Sequence, residues 1–226
     1  VFIITTFACK PEKAKRILVF SETQGYHHSS IKEGIEALQK LGAENEILVD
    51  TSSTSQLFTE EVLKQYSAVV FLSTTGDVLD YDEQNAFERY IQAGGGFVGI
   101  HAATDTEYHW PWFNKLVGGY FAGHPAIQEA TLNVMDQSHQ STAHLDNEWV
   151  RTDEWYNYKN INPDMNVLIY LDETSYEGGT NGDNHPIAWY HEFDGGRSFY
   201  TGGGHTEDTY DEPMFRKHLL GAMEWC

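Results

Sequence analysis

Histidines collect in a few loops of this sequence, each of which follows a short apolar segment. Five of the eleven histidines lie there, namely His27, His28, His101, His109 and His205. In an open α/β sheet, ligands bind beyond the carboxyl ends of the strands, so loops of this kind meet at one pocket. Imidazoles that share a pocket can transfer protons near neutral pH or bind a metal ion. A lone histidine at a strand end is more often a packing residue, so the clustering is the informative feature.

Carboxylates accompany these histidines. Asp105 follows His101 in the same predicted loop, and Glu154 lies in the second half of the chain. Imidazole and carboxylate donors suit Zn²⁺, Mn²⁺ or Mg²⁺ in an open site, although no HExxH-type spacing selects a metal. The predicted catalytic residues are His101, His205, Asp105 and Glu154. If the histidines coordinate an ion instead, the predicted metal ligands are His28, His101, His124 and His205. No nucleotide cofactor is expected.

Aromatic residues flank the same loops. Rings stack on the C–H faces of a sugar, while neighbouring carboxylates and hydroxyls bind its hydroxyl groups. The predicted substrate-binding residues are Tyr26, His27, Tyr108, Trp110, Trp112, Tyr156 and Trp189. Two alternatives stay open. Tyr108, Trp110 and Trp112 are equally suited to capping the hydrophobic core, and the His27–His28 pair is also typical of a solvated loop.

Strand-like and helix-like segments alternate through the first half of the chain. Strands are predicted over 15–20, 46–49, 68–72 and 97–100. Ser30, Thr59 and Asp82 are predicted to cap the intervening helices, with Glu33 completing a capping box at the first of them. Such alternation favours right-handed crossovers and an α/β fold with a doubly wound, mainly parallel sheet.

The pattern changes after Pro125. Further strands are predicted over 130–135, 166–171, 187–193 and 197–201. Asp194-Gly195-Gly196 is typical of a hairpin turn, so the last two strands should pair antiparallel. A final helix over 212–225 would have Asp211 as its cap and Pro213 in its first turn. The second half therefore adds antiparallel strands to the sheet.

The composition excludes several classes of partner. The chain has 226 residues and a formal charge of −20, from 34 acidic and 14 basic residues. Such a surface repels phosphate backbones and anionic lipids, so nucleic acid is not an expected partner. The two cysteines, Cys9 and Cys226, support neither a disulfide framework nor a Cys-rich zinc site. No apolar run approaches the ~20 residues that span a bilayer.

The first residues have a pattern of their own. Residues 1–9 are apolar, stop at Ala8-Cys9 and lead into a polar stretch, which is typical of the end of a bacterial lipoprotein signal. The alternative is an added edge strand. We predict a signal remnant and linker over 1–14 and a single domain over 15–226. A lipid anchor at Cys9 would place the domain in the periplasm or cell envelope, and without an anchor the domain would be cytoplasmic. A homo-oligomer is compatible with the sequence.

Several short motifs together resemble the trehalose-utilisation (ThuA-like) family. They are 25–31 (GYHHSSI), 99–102 (GIHA) with Asp105, 118–125, Asp153-Glu154 with Tyr156, 186–189 and 203–205. Taken together, the resemblance extends over residues 15–225. The resemblance implies a fold similar to class I glutamine amidotransferases, with a flavodoxin-like sheet. It also implies a link to disaccharides, in particular to oxidised 3-keto sugars.

The resemblance bears on residues 94–105, GGGFVGIHAATD. Class I amidotransferases place a cysteine at this turn, within Gly-x-Cys-x-Gly, and use a His-x-Glu motif further on. Here His101 stands in place of the cysteine, Ala103 replaces the last glycine, and His205-Thr206-Glu207 resembles the second motif. Because that thiolate is missing, glutamine hydrolysis through a thioester is excluded.

The first hypothesis is an enzyme that acts on a glycoside or keto-sugar by hydrolysis, elimination or isomerisation. A 3-keto group acidifies the adjacent C–H, so one acid and one base could break the glycosidic bond without paired glycosidase carboxylates. His101 and His205 would be acid and base, or metal ligands, while Asp105 and Glu154 would orient them or balance their charge. The alternative is a sugar-binding or sensing protein without catalysis. An amidotransferase-like subunit is disfavoured by the missing cysteine.

Overall fold

The computed structural model describes residues 15–226, which form one nine-stranded and one two-stranded sheet. The strands are β1 Arg16–Phe20, β2 Leu48–Ser52, β3 Ala68–Leu72, β4 Gly96–Ile100, β5 Tyr120–Gly123, β6 Gln128–Val134, β7 Glu148–Asp153, β8 Asn157–Lys159, β9 Asn166–Leu171, β10 Pro186–Phe193 and β11 Gly196–Thr201. The α-helices are α1 Ile31–Glu44, α2 Glu60–Leu63, α3 Tyr81–Gln92, α4 Pro111–Val117 and α5 Pro213–Trp225. None of these helices is long and apolar enough to cross a membrane. The predicted signal remnant over 1–14, with Cys9, lies outside the described residues.

The large sheet is mixed, with the strand order β2-β1-β3-β4-β11-β10-β9-β6-β7. The strands from β2 to β11 pair in parallel, and the pairs from β11 to β7 are antiparallel. The predicted α/β class and the antiparallel strands of the second half are confirmed. The mainly parallel sheet is corrected to a mixed one, because β6, β7, β9 and β10 follow one another without the helical crossovers that parallel pairing needs. The doubly wound, flavodoxin-like arrangement stays a prediction.

The central parallel strands bring the candidate loops to one edge. Every residue of β3 and β4 is buried, as expected for strands that are covered on both faces. In the register of the sheet, Ile100 at the end of β4 lies opposite Leu72 of β3 and Thr201 of β11. The three strands therefore end at the same level, and the loops that carry His101 and His205 start side by side.

Two of the predicted helix caps differ in the structure. Helix α1 begins after Ser30 as predicted, but the Ser30 hydroxyl forms no cap and instead donates to Gly204 O at 3.0 Å. Helix α3 is capped by Asp80 rather than Asp82, because the Asp80 carboxylate accepts from the amides of Asp82 and Glu83 and Glu83 closes the capping box. A hydroxyl that the sequence assigns to a helix cap is thus used to hold a loop of the candidate site.

Edge and terminal elements also differ from the prediction. Strand β2 runs over 48–52 rather than 46–49, because residues 50–52 pair with β1 despite their polarity. The last helix has Glu212 rather than Asp211 at its N-cap position, and the Glu212 side chain makes no capping hydrogen bond. The sequence patterns do not predict β5, β7, β8 or α4, which are short or lack a clear apolar period. The predicted bounds of β3 and β9 are confirmed at every residue.

A buried histidine lies where helix α5 packs on the sheet. His218 is fully buried, its Nδ1 donates to Ser141 O at 2.9 Å, and its Nε2 has no hydrogen-bond partner within residues 15–226. Burial, only partly offset by the bond to the Ser141 carbonyl, lowers the pKa of His218 to about 3. The ring is therefore neutral in the folded protein down to strongly acidic pH.

We predict that His218 makes the fold less stable as the pH falls below about 6.5. The unfolded ring binds a proton below its ordinary pKa, whereas the folded ring stays neutral until about 3. The free energy of unfolding is therefore unaffected by His218 above the pKa of the unfolded ring. Between that pKa and the pKa of the folded ring it falls by up to about 1.4 kcal/mol per pH unit. His218→Asn keeps a donor for Ser141 O and removes the titration. Urea unfolding of this variant should show a shallower pH dependence than the unmodified chain, and an unchanged slope would contradict the prediction.

Candidate functional site

The turn at the end of β4 presents an imidazole. His101 has a left-handed backbone, with φ of 50°, directly after the strand. That conformation is costly for a residue with a Cβ and is found at the nucleophile turns of α/β enzymes. The ring is fully buried, and its Nδ1 lies 3.0 Å from Gly202 O. Because a carbonyl oxygen only accepts, Nδ1 donates to Gly202 O, and Nε2 faces the side chains of the neighbouring loops.

Side chains from three other segments meet this nitrogen. His205 Nδ1 lies 3.2 Å from His101 Nε2 and 3.0 Å from Glu154 Oε2. The same Glu154 oxygen lies 3.6 Å from His101 Nε2. Together with His28 they form what we call the donor cluster, in which one ligand atom from each residue lies within 4.8 Å of all the others. Four nitrogen and oxygen atoms this close together can surround a single metal ion.

The carboxylate of the donor cluster is ionised although it is buried. Burial by itself raises the pKa of Glu154, but the hydrogen bonds and charges of His101 and His205 outweigh it and lower the pKa to about 2. Burial likewise lowers the pKa of His205, but the bond to Glu154 and the nearby charges of Glu154, Asp153 and Glu207 raise it above its usual value. The carboxylate is thus in the form that a metal ion requires.

His28 closes the donor cluster on the β1 side. Its ring packs edge-on against the rings of His101 and His205, with centroids 4.9 and 5.2 Å away. Burial, followed by repulsion from those two histidines, lowers the pKa of His28 to about 3, so the ring is neutral and keeps a lone pair. Within residues 15–226 its buried Nδ1 has no hydrogen-bond partner. An orphaned buried nitrogen in a group of metal-type donors fits a site that a bound ion completes.

A pocket of about 360 Å³ opens onto the donor cluster. It is lined by Tyr26, His28, Asp105, Phe121, His124, Glu154, Tyr156 and His205. The Tyr156 ring packs against the rings of His101 and Phe121, with centroids 4.2 and 4.3 Å away, and so forms one wall. This lining combines rings, carboxylates and imidazoles without a lysine or arginine, and suits a polar ligand that carries no negative charge.

Asp105 faces the pocket as a second, separate carboxylate. The hydroxyl of Tyr108 donates to Asp105 Oδ1 at 2.6 Å. Burial raises the pKa of Asp105 above its usual value, although the bond from Tyr108 opposes the shift. Tyr108 is not part of the lining, so this predicted substrate-binding residue lies behind the carboxylate and orients it.

The structure brings together three of the four predicted metal-binding histidines. The fourth, His124, lies beside the donor cluster, with Nδ1 2.9 Å from Glu154 Oε1 and 2.9 Å from Pro125 O. Its side chain is 42% exposed at the pocket mouth. Glu154 therefore takes the place in the cluster that the sequence analysis gave to His124.

Besides Tyr108, four predicted substrate-binding residues lie outside the pocket lining. Their hydrogen-bond partners are Thr23 for His27, Glu88 for Trp110, Asp194 for Trp112 and the Val117 carbonyl for Trp189. His27 is exposed, and the three indoles pack against other rings of the core. Sequence reasoning missed Phe121, which lies in β5 and lines the pocket. Its only signal was its place within the motif over 118–125.

The sequence profile of the ThuA family, described as trehalose utilisation, matches residues 16–226. The chain belongs to the ThuA family. A ThuA-like protein from Bacteroides uniformis is similar in structure, with 26% identity, a TM-score of 0.81, and coverage of 97% of this chain and 95% of that one. A ThuA-like protein from Parabacteroides merdae is 21% identical, with a TM-score of 0.75 and coverage of 94% and 90%. No curated protein matches the sequence.

The fold of this ThuA-family chain also occurs within a larger enzyme. A β-galactosidase from Bacillus circulans sp. alkalophilus is 13% identical, with a TM-score of 0.62 over 93% of this chain and 30% of the enzyme. At this identity the likeness shows a shared fold alone.

In this ThuA-family chain, one buried carboxylate positions two members of the donor cluster. Asp153 accepts from the backbone amides of Gly204 at 2.9 Å and His205 at 3.1 Å. It also accepts from the amide of Glu154 at 2.9 Å. Asp153 belongs to the motif that resembles the family, but as a pattern in the sequence it is equally typical of a charged turn.

Arg151 neutralises this carboxylate from inside the fold. Its guanidinium lies 3.1 Å from Asp153 Oδ2, and both side chains are almost completely buried. The guanidinium is packed over the rings of Trp149, Trp155 and Phe215, at 4.9, 5.9 and 4.8 Å from their centroids. Nothing in the local sequence distinguishes Arg151 from a surface arginine.

We predict that Asp153→Asn destabilises the protein by about 3 kcal/mol, because Arg151 loses its buried counter-charge and keeps only the partly exposed Glu212. Urea unfolding measures the loss, and the amides of Gly204 and His205 should exchange hydrogen faster as their loop is released. Glu212→Gln is the matched control, since Glu212 also binds Arg151 at 3.1 Å but is 33% exposed. That variant should lose about 1 kcal/mol or less. Equal losses in the two variants would contradict the role assigned to Asp153.

Proposed function

We propose that the chain is a carbohydrate-processing enzyme that acts on a glycoside or keto-sugar, with a divalent metal ion held by the donor cluster. The observation that carries the proposal is the cluster of three imidazoles and one carboxylate that opens onto a pocket at the ends of the parallel strands. The description of the family as trehalose utilisation supports the substrate class. The pocket lining supports it independently, because rings beside carboxylates suit a sugar.

The donor set favours Zn²⁺ or Mn²⁺. Mg²⁺ prefers oxygen ligands, whereas imidazoles suit transition metals and zinc. His101 already shows the outer contact that is usual for a ligating histidine, because its Nδ1 proton is fixed on Gly202 O and its Nε2 is left free to coordinate. When bound, such an ion supplies a Lewis acid for a sugar carbonyl or hydroxyl.

Asp105 is the base in this proposal. Its pKa is raised by burial, whereas the pKa of Glu154 is lowered to about 2, so Asp105 is the stronger base of the two pocket carboxylates. With a 3-keto-glycoside, Asp105 takes the proton from the carbon between the keto group and the anomeric carbon. The electron pair of that bond then forms a double bond and expels the glycosidic oxygen, which leaves with the proton returned by Asp105. The products are an unsaturated keto-sugar and an alcohol, and addition of water to the double bond completes a net hydrolysis.

Tyr156 and Phe121 bind the sugar in this proposal. Burial, reinforced by the neighbouring acidic groups, holds the pKa of Tyr156 far above its usual value, so its hydroxyl stays protonated and donates a hydrogen bond. Phe121 offers a ring face beside it. Tyr26, which is 67% exposed, lies at the rim, where it can cover a bound ring.

We predict about one divalent ion per chain in protein purified without a histidine tag. Returning Zn²⁺ or Mn²⁺ to chelator-treated protein should raise the melting temperature, with a gain of about 2.7 kcal/mol at a hundredfold excess over Kd. His101→Ala should abolish this gain. His144→Ala is the control, because His144 is half-buried and bound to Met214 O outside the pocket. A metal content near zero, with no change in melting temperature, would contradict the metal centre.

We predict that the metal-loaded protein turns over a 3-keto-glycoside and that Asp105→Asn lowers kcat by about 10²- to 10⁴-fold. Metal content should stay unchanged, since Asp105 is outside the donor cluster. Tyr108→Phe keeps the carboxylate and removes only the hydrogen bond that orients it, so the loss should be smaller. Steady-state kinetics measure turnover, and equilibrium binding measures the affinity for the sugar. A sugar that binds without turnover would support a sugar-binding protein and contradict the proposed enzyme.

A further inference from the structure

The pocket wall that contains Tyr156 is held from behind by the connection between β9 and β10, residues 172–185. Strand β8, which follows Tyr156, pairs with β5 on one side. On its other side, the Asn181 side chain accepts from Tyr158 N at 2.9 Å and donates to Tyr158 O at 2.8 Å. The Asn157 side chain contacts the same connection, through Gly178 O and Thr180 N. The connection therefore takes the place of a neighbouring strand.

His185 joins this connection to the pocket wall. The ring is fully buried, its Nε2 donates to Tyr156 O at 2.8 Å, and its Nδ1 lies 2.7 Å from Glu173 Oε1. The backbone carbonyl of His185 accepts from Leu171 N at 2.8 Å, which fixes the residue to the large sheet. The His185 ring thus bridges the Glu173 carboxylate and the backbone carbonyl of Tyr156.

Glu173 is equally fixed. Its Oε1 also accepts from Asn181 N at 2.7 Å, and Gly179 packs so closely on the carboxylate that a Cβ there would overlap it. Neither His185 nor Glu173 lines the pocket or takes part in the chemistry proposed above. Burying an ionisable pair such as His185 and Glu173 is costly unless its contacts are well formed. One of these contacts is the hydrogen bond from His185 to the backbone of Tyr156, a residue of the pocket wall.

We propose that His185, paired with Glu173, is a positioning residue that sets the place of Tyr156 and, through the Tyr156 ring, of His101. The Tyr156 ring lies 4.2 Å from the His101 ring, between centroids, so movement of the Tyr156 backbone changes the surface against which His101 packs. The effect on sugar turnover rests on the proposed function. The effect on Tyr156 itself does not, and can be measured without a ligand.

Two substitutions at His185 separate the contact of Nε2 with Tyr156 O from the contacts of Nδ1 with Glu173 and with the Tyr176 hydroxyl, which lies 3.2 Å from Nδ1. A glutamine amide reaches the place of Nε2, so His185→Gln keeps the donor to Tyr156 O and loses the contact with Glu173. An asparagine amide reaches the place of Nδ1, so His185→Asn loses the donor to Tyr156 O. The probe is ¹⁹F NMR of the full chain labelled with 3-fluorotyrosine, with the Tyr156 resonance assigned by Tyr156→Phe. We expect this resonance to move in His185→Asn and to stay close to its original position in His185→Gln.

His191 provides the matched control. It is also a buried histidine whose Nε2 donates to a backbone carbonyl, that of Lys115 at 2.9 Å, but it is not in the pocket lining. His191→Asn should lower stability without moving the Tyr156 resonance. Movement in both asparagine variants, or in neither, would overturn the proposal. If His185→Asn does not fold, His185→Met replaces it, because it also lacks the donor to Tyr156 O but fills more of the space of the ring. An unmoved Tyr156 resonance in His185→Met would count against the proposal in the same way.

Turnover gives the second readout. With a 3-keto-glycoside, kcat/KM should fall about 10- to 100-fold in His185→Asn, as for a small displacement of a group that contacts substrate, and should recover in His185→Gln. If the unmodified chain shows no turnover, the proposed function fails while the NMR result still decides the role of His185. If turnover is present and His185→Asn leaves kcat/KM unchanged, the positioning role is wrong.

Discussion

A carboxylate buried between two imidazoles is the interaction on which this site depends. Moving a charge such as that of Glu154 out of water costs several kcal/mol, and only close, well-oriented partners offset the loss. His205 Nδ1 supplies such a contact at 3.0 Å and His101 Nε2 lies 3.6 Å away, and the two imidazoles hold the pKa of Glu154 below its usual value despite burial. The three residues come from segments far apart in the chain, so the fold must hold those segments in place before the charge can be accommodated.

Buried polar groups supply this support from several directions. Strands β3, β4 and β11 end in register, so the loops that follow β4 and β11 begin next to each other. Asp153, neutralised by Arg151, binds the amides of both His205 and Glu154. The Ser30 hydroxyl holds Gly204 from the opposite side. The strained turn after β4 directs an imidazole nitrogen of His101 toward three other donors, an arrangement that suits the coordination proposed above.

The sequence predicts those parts of the molecule that local patterns specify. A strand covered on both faces leaves an uninterrupted apolar run, which is why the bounds of β3 agree, and glycine-rich ends correctly indicate that the His101 and His205 loops meet. The same reasoning cannot separate a ring that stacks on a ligand from one that packs in the core. For Trp110 and Trp112 the pattern leaves both roles open, and in the structure these rings lie outside the pocket lining and donate to Glu88 and Asp194. Choosing Glu154 over His124 as the fourth donor depends on long-range packing, which is not encoded in local periodicity.

Anomalous diffraction at the metal absorption edge, from crystals of the chain grown with Zn²⁺ or Mn²⁺, tests the metal centre most directly. We predict a strong peak in the pocket, at about 2.0–2.2 Å from the imidazole nitrogens and carboxylate oxygen that bind it. Its ligands should be His28, His101, Glu154 and His205, with His124 on the outer side of the carboxylate. A donor cluster without a peak, while ions occupy exposed histidines elsewhere, would show that these residues form a hydrogen-bonded network rather than a metal centre.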